Sequence, residues 1–256
     1  MTTNVFDGVV GFLATESRWS VTHGRWICYL DDTNFHKIEV FNDTAFMFAG
    51  RGLLIQEWKN WIRSNPVDDS NQPAVEGISL SGFNISSKTL RYTEGMSITH
   101  ENSIFAGTGA RHAVICWKNN RVATKAVETA KIMDPASGGS VKYFDFATGN
   151  SNLAVMNMFS PSTIEEIDKE LAVKGIYMDV TTRQNGAPPF ALSQVAASDA
   201  SANTNESMAD MQELKRKLAS GELSASAPCD AMYSEWSANS KKELKTFLGS
   251  VFGWRN

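Results

Sequence analysis

The chain has 256 residues, 42% of them hydrophobic and 20% charged, enough to bury a large core without help from disulfides or metal. Its 24 Lys+Arg against 28 Asp+Glu leave a formal charge of -4, so there is no overall basic field to hold nucleic acid or anionic lipid. The longest apolar runs, such as Val9 to Ala14 and Ala45 to Ala49, fall far short of the roughly 18 to 20 residues of a membrane helix, and no secretory signal opens the chain. Neither a nucleic-acid nor a membrane partner is expected, and the cytoplasm is the expected compartment. Cys28, Cys116 and Cys229 fit neither a disulfide framework nor a CxxC site, and the four histidines show no pair at metal-ligand spacing. No metal and no other cofactor is expected. The GxSxG, GxGxxG and GxxxxGK[ST] signatures are also missing.

Val5 to Ala14 is mostly apolar with Asp7-Gly8 inside it, the pattern of a strand pair joined by a hairpin. Further β-prone runs cover Trp26 to Leu30, Lys37 to Phe41 and Ala45 to Phe48, the last leading into Ala49-Gly50-Arg51-Gly52. A helix follows, with Leu54, Trp58, Trp61 and Ile62 at helical spacing and Asn65-Pro66 as its stop. Short segments at Ile78 to Leu80, Phe83 to Ile85, Thr89 to Tyr92 and Met96 to Ile98 predict an antiparallel meander. After Gly107-Thr108-Gly109, helices are predicted over Ala110 to Lys118 and Val122 to Met133, then a strand through Val141, Tyr143, Phe144 and Phe146. Ser162 with Glu165 signals the cap of a helix carrying Ile164, Ile167 and Leu171 and ending at Gly175.

From Ala196 to Ser207 every residue is Ala, Ser, Asp, Asn, Thr or Glu, a linker composition. Two amphipathic helices are predicted beyond it. Met208, Met211, Leu214 and Leu218 mark one; Leu244, Phe247, Leu248, Val251 and Phe252 mark the other, opened by Ser240 and Glu243. Pattern alone leaves two burial modes open for them, on their own domain or on a partner, and the last helix is expected on a neighbouring subunit or regulatory partner. The expected organisation is a domain over residues 2–180, a flexible linker over 181–207 and a helical tail over 208–256.

Chemistry enters at the second residue. Methionine before threonine is generally trimmed, which would leave Thr2 with a hydroxyl beside a free amine. A threonine hydroxyl needs a base to become a nucleophile, and its own α-amine, with an ordinary pKa of about 7.7–8.0, can serve. Alone this is weak, because Thr is common at position 2.

Four separated blocks add to it. They are Thr2-Thr3-Asn4-Val5 with Asp7-Gly8-Val9-Val10 and Ala14-Thr15-Glu16-Ser17-Arg18; Lys37-Ile38; Phe48-Ala49-Gly50; and Gly107-Thr108-Gly109 with Asp134-Pro135-Ala136-Ser137-Gly138-Gly139. In order and rough spacing, over residues 2 to about 146, they resemble the proteasome β-subunit and HslV family of N-terminal threonine peptidases. The resemblance implies an α+β fold, a four-layer αββα sandwich of the N-terminal-nucleophile type, here with a C-terminal helical extension. It implies Thr2 as nucleophile, Lys37 beside it, Glu16 in place of the aspartate that pairs with that lysine, and Gly50 as the backbone oxyanion donor. Thr108, Asp134 and Ser137 would surround the terminal amine. Trp19, Phe35 and Phe48 stand near the family's pocket positions and favour an apolar substrate group, while Arg51 follows Gly50 where the family has a small residue. The implied partners are a peptide or protein substrate and copies of the same chain in a homo-oligomer.

The chain departs from that pattern. Glu16 is one methylene longer than aspartate, Thr108 replaces a serine, the segment between Gly50 and Thr108 is short, and the chain beyond Gly175 has no family counterpart. Each residue also has an ordinary reading: Glu16 with Arg18 as a surface ion pair, Lys37 as an exposed strand lysine, Gly107 to Gly109 as a plain turn. Two rival functions stay open, a small-molecule amidase of the same fold and a non-catalytic scaffold that binds partners through its tail.

Overall fold

A computed structural model describes residues 2–64, 69–95, 97–154, 159–183, 190–191 and 205–254. The opening hairpin forms as its turn residues dictate. Strand β1 (Asn4–Asp7) pairs antiparallel with β2 (Phe12–Glu16), Val5 opposite Ala14. The Asp7 carboxylate accepts the Val9 N–H at 3.1 Å, and Gly11 takes φ 76 to bring the chain back. β9 (Ser97–His100) and β10 (Ser103–Ala106) extend the sheet beyond β1, and β11 (Val141–Asp145) extends it beyond β2, in the order β11-β2-β1-β10-β9.

A second, nine-stranded sheet collects β3 (Trp19–His23), β4 (Trp26–Leu30), β5 (Ile38–Phe41), β6 (Thr44–Arg51), β7 (Ile78–Asn84), β8 (Thr89–Glu94), β12 (Ile176–Asp179), β13 (Phe190–Ala191) and β14 (Ser226–Ala227). Its order is β13-β12-β4-β3-β14-β6-β7-β8, with β5 also on β6. Side-chain alternation sorts the strands between two apolar layers. Phe6, Leu13 and Ile104 point to Ile38, Ala45, Met47 and Phe83 of the second sheet. Their chain neighbours Val5, Ala14 and Phe105 point the other way, onto Ala113, Trp117, Ala126 and Ala130 of α2 (Ala110–Asn120) and α3 (Ala123–Met133). On β6 the same alternation turns Phe46 and Phe48 away from the sheet-to-sheet layer. They join the largest core cluster, with α1 (Gly52–Arg63), α4 (Ile164–Lys174), α6 (Asn205–Ser220) and α7 (Ala238–Phe252). A single helical turn, α5 (Val180–Arg183), follows β12.

Several elements differ from the sequence reading. Ile78 to Leu80 and Phe83 to Ile85 belong to one strand, β7, whose register shifts between Gly82 and Phe83. The fourth expected meander segment lies at Ser97–His100 and leaves the meander for the other sheet, where it pairs with β10, and Met96 falls outside the described residues. The cap of α4 is Thr163, whose hydroxyl accepts the Glu166 N–H at 3.2 Å, and α7 starts from Ser237, three residues before the expected Ser240. Strands β3, β10, β12, β13 and β14 are not among the expected ones; β3 alternates Trp19 and Val21 with Ser20 and Thr22, and the others are short, four residues or fewer.

The tail is the largest correction. Met211, Leu214, Leu218, Leu244, Phe247 and Leu248 are buried in the same core as Trp19, Phe48 and Trp58. The last helix therefore packs on its own sheet, not on a neighbouring subunit or partner: Phe247 stacks on Tyr92 at 5.6 Å and meets Phe46 at 6.0 Å. Of the expected linker over 181–207, residues 184–189 and 192–204 lie outside the described residues, whereas α5 ends at Arg183, Phe190–Ala191 form β13 on β12, and α6 begins at Asn205. Among the described residues, no helix is long and apolar enough to cross a membrane.

Candidate active site

Thr2, Glu16 and Lys37 meet where the first hairpin, the end of β2 and the start of β5 converge, and none has more than 1% of its surface exposed. The Thr2 hydroxyl donates to Glu16 Oε1 at 2.5 Å and accepts from Lys37 Nζ at 2.7 Å, while Lys37 and Glu16 form a buried ion pair. The second carboxylate oxygen of Glu16 accepts the Arg18 N–H at 2.7 Å and the Gly138 N–H at 3.3 Å. Every acceptor direction of this carboxylate is thus used, which is what lets a charge stay buried. Burial pushes the Lys37 ammonium below the ordinary lysine range, opposed by the neighbouring Glu16 charge.

The Thr2 backbone is held from the opposite side. Gly109 donates its N–H to the Thr2 carbonyl at 3.4 Å, and a Cβ on Gly107, at φ 84, would collide with that carbonyl. Asp134 ends α3 and accepts from Thr108 Oγ1 at 2.6 Å, Ser137 Oγ at 3.0 Å and the Ala136 N–H at 3.1 Å. Ser137 Oγ in turn lies 2.8 Å from Thr3 Oγ1. This cluster reaches the N-terminal segment at the Thr3 hydroxyl, one residue beyond the expected contact.

Arg18 does not pair with Glu16 on the surface. It is buried, makes two 2.8 Å bonds to the Asp31 carboxylate, donates to the Pro135 carbonyl at 3.0 Å and lies over the Tyr29 ring. A Cβ on Gly138 would run into its guanidinium, so Arg18 and the glycine loop fit only together. Asp31 and Arg18 are the supporting residues that the sequence reading missed. The available signal was the Arg itself, inside the block Ala14 to Arg18.

Of the aromatic side chains expected around a substrate, Trp19 and Phe48 have no exposed surface and Phe35 has 5%. Trp19 donates its indole N–H to the Phe35 carbonyl at 2.8 Å, and its ring stands 5.5 Å from Lys37 Nζ. These rings back the site from inside the core and line no opening onto Thr2. Arg51 is exposed, at the end of β6 opposite Ser226.

Gly50 sits at φ 124, a conformation open to glycine, and a Cβ there would strike the Gly77 carbonyl. Along β6 the Phe48 N–H bonds the Lys37 carbonyl at 2.9 Å, the Arg51 N–H turns to the carbonyl of Gly77, just before β7, at 3.0 Å, and the Gly52 N–H bonds the Ala225 carbonyl at 3.1 Å. By strand alternation the Gly50 N–H faces the same edge as those of Phe48 and Gly52. That edge carries β5 beside Thr44 to Met47 and β14 beside Gly50 and Arg51.

No family model matches the chain, and no curated protein matches it. Among solved structures the chain is similar to BPH of Thiobacillus denitrificans in complex with epoxomicin, at 14% identity and a TM-score of 0.41, covering 56% of this chain and 97% of that one. It is also similar to the eukaryotic HslV of Trypanosoma brucei, at 15% identity and a TM-score of 0.35, covering 56% of this chain and 96% of that one. At these values neither likeness assigns an activity.

Proposed function

We propose that this chain is an N-terminal threonine amide hydrolase, an endopeptidase of the proteasome β-subunit and HslV type that uses Thr2 after removal of Met1. The observation that carries the reading is the buried contact of the Thr2 hydroxyl with both Lys37 and Glu16. A hydroxyl held between an ammonium and a carboxylate, with no exposed surface of its own, is costly to build for packing alone. The layers of helices, sheet, sheet and helices are read as the αββα sandwich of N-terminal-nucleophile enzymes, with the C-terminal helices completing one outer layer.

In this reading the Thr2 hydroxyl attacks the scissile carbonyl while the freed α-amine takes its proton and returns it to the leaving amine. Lys37 stabilises charge on the Thr2 oxygen, and Glu16 holds Lys37 and orients the hydroxyl. The Gly50 N–H supports the oxyanion, the large electrostatic contribution in acyl transfer. Water then hydrolyses the Thr2 ester. Thr108, Asp134 and Ser137 position the N-terminal segment through Thr3.

Thr2→Ala is expected to abolish hydrolysis of a fluorogenic peptide panel while shifting the thermal midpoint little, because Lys37 and Glu16 keep each other. Wild-type turnover in that variant overturns the proposal. Mass spectrometry of the purified chain supplies the companion observation: an active preparation lacks Met1, and hydrolysis by a chain that keeps Met1 refutes the α-amine as base.

A further inference from the structure

Strand β14 lies where two strand edges face each other across a gap. Ser226 is opposite Ser20 of β3 and Arg51 of β6, and Ala227 is opposite Gly50. Among the described residues β3 and β6 do not pair with each other, and this two-residue strand joins the two halves of the nine-stranded sheet there. A gap flanked by two strand edges is a slot for one extended chain, recognised through main-chain hydrogen bonds on both sides.

The slot is next to the site. β5, which follows Lys37, and β14 follow each other along one edge of β6, and the Gly50 N–H faces that edge. The occupant is held at both ends. Asp168 of α4 accepts from Ser224 Oγ at 2.6 Å and from the Ala225 N–H at 2.7 Å, and the Ser226 hydroxyl donates to the Ser20 carbonyl at 3.1 Å. Beyond it, Cys229 and Ala231 pack on Ala49, and the Trp236 indole donates to the Ile78 carbonyl at 3.1 Å. The occupant's side chains are small: Ala225 and Ala227 have 1% and 0% exposure.

We propose that residues 225–227 are an internal plug in a peptide-binding slot, and that an extended peptide supplied in trans takes their place when the segment lifts. The slot follows from the sheet order alone; that its ligand is a substrate rests on the peptidase reading above. In that reading the plug covers the oxyanion donor, and the structure is the closed form of the enzyme.

The test uses the full chain, in a Thr2→Ala background that separates binding from turnover. Ala227→Pro removes a strand N–H opposite Gly50, and Asp168→Ala removes the anchor of Ser224 and Ala225. Each is titrated, by anisotropy, into a fluorescein-labelled peptide with the sequence of residues 222–228. At least tenfold tighter binding than the plugged parent is expected. Folded variants that bind no better than the parent overturn the plug. Native-state hydrogen exchange on the unaltered chain decides the matter even where both variants unfold. The Gly50 and Gly52 amides are expected to exchange faster than the Met47 and Phe48 amides; exchange of all four only with global unfolding overturns the proposal. If the variants with Thr2 restored bind the peptide and hydrolyse no peptide in the panel, the slot stands and the peptidase reading falls.

Discussion

Glu16 shows how narrowly the site is balanced. Its carboxylate is out of reach of water, and Lys37, Thr2, Arg18 and Gly138 all donate to it. Replacing one member of a buried pair strands the other charge, at a cost of about 3–5 kcal/mol. Glu16→Gln is therefore expected to lower stability by about 3 kcal/mol, read from the urea midpoint at constant m-value; a loss below about 1 kcal/mol would mean that water reaches Lys37. The extra methylene relative to aspartate also gains meaning here, since the longer side chain touches the Thr2 hydroxyl as well as the lysine. His36 makes a second residue-scale prediction. Burial, with the nearby charges of Lys59 and Lys142, pushes its pKa down to about 4. The unfolded chain then binds a proton that the folded chain refuses, so the His36 contribution is intact above about pH 6.5 and is lost as pH falls toward 4. His36→Gln is expected to flatten the acid side of the stability profile by about 3 kcal/mol between those limits, measured by denaturant unfolding at stepped pH. A parallel profile would refute it.

At the scale of elements, α7 and β7 are fitted to each other. A Cβ on Gly82 would strike the Phe247 ring, so the bulged strand lets the helix ring close to its backbone, between Tyr92 and Phe46. Truncating a buried aromatic ring removes transfer energy and leaves a cavity, together about 3–5 kcal/mol. Phe247→Ala is expected to cost about 3 kcal/mol in the denaturant midpoint, and deletion of residues 238–256 is expected to unfold the chain. A deletion variant that keeps a cooperative transition at the parental midpoint would show that α7 is dispensable to the core. The apolar stripe Leu244 to Phe252 announced this helix in the sequence, but a stripe says only that a face must be covered. The Tyr92 and Phe46 rings that cover it sit on strands far earlier in the chain, and nothing in the stripe points to them.

At the scale of the whole molecule, the local signals and the long-range ones separate cleanly. The hairpin at Asp7-Gly8, the helices after Gly50 and Gly109 and the loop from Asp134 to Gly139 were legible because turn chemistry and helical spacing act within a few residues. The candidate site residues Thr2, Glu16, Lys37, Gly50, Thr108, Asp134 and Ser137 stand out in the sequence only as a set, through order and spacing that resemble a known family. Their mutual contacts span 3 to 35 positions of sequence, and Ser137 reaches Thr3 across 134. The tertiary structure alone decided that Arg18 turns to Asp31, that Trp19 and Phe48 are walls of the core with no surface to offer a substrate, and that the tail closes the nine-stranded sheet. The physical reason is clearest in β14. Ser226 and Ala227 have no periodicity, no bulk and no β-branching to mark a strand, and they become one because Ser20, 206 positions away, and Gly50 present unfilled backbone hydrogen bonds to them.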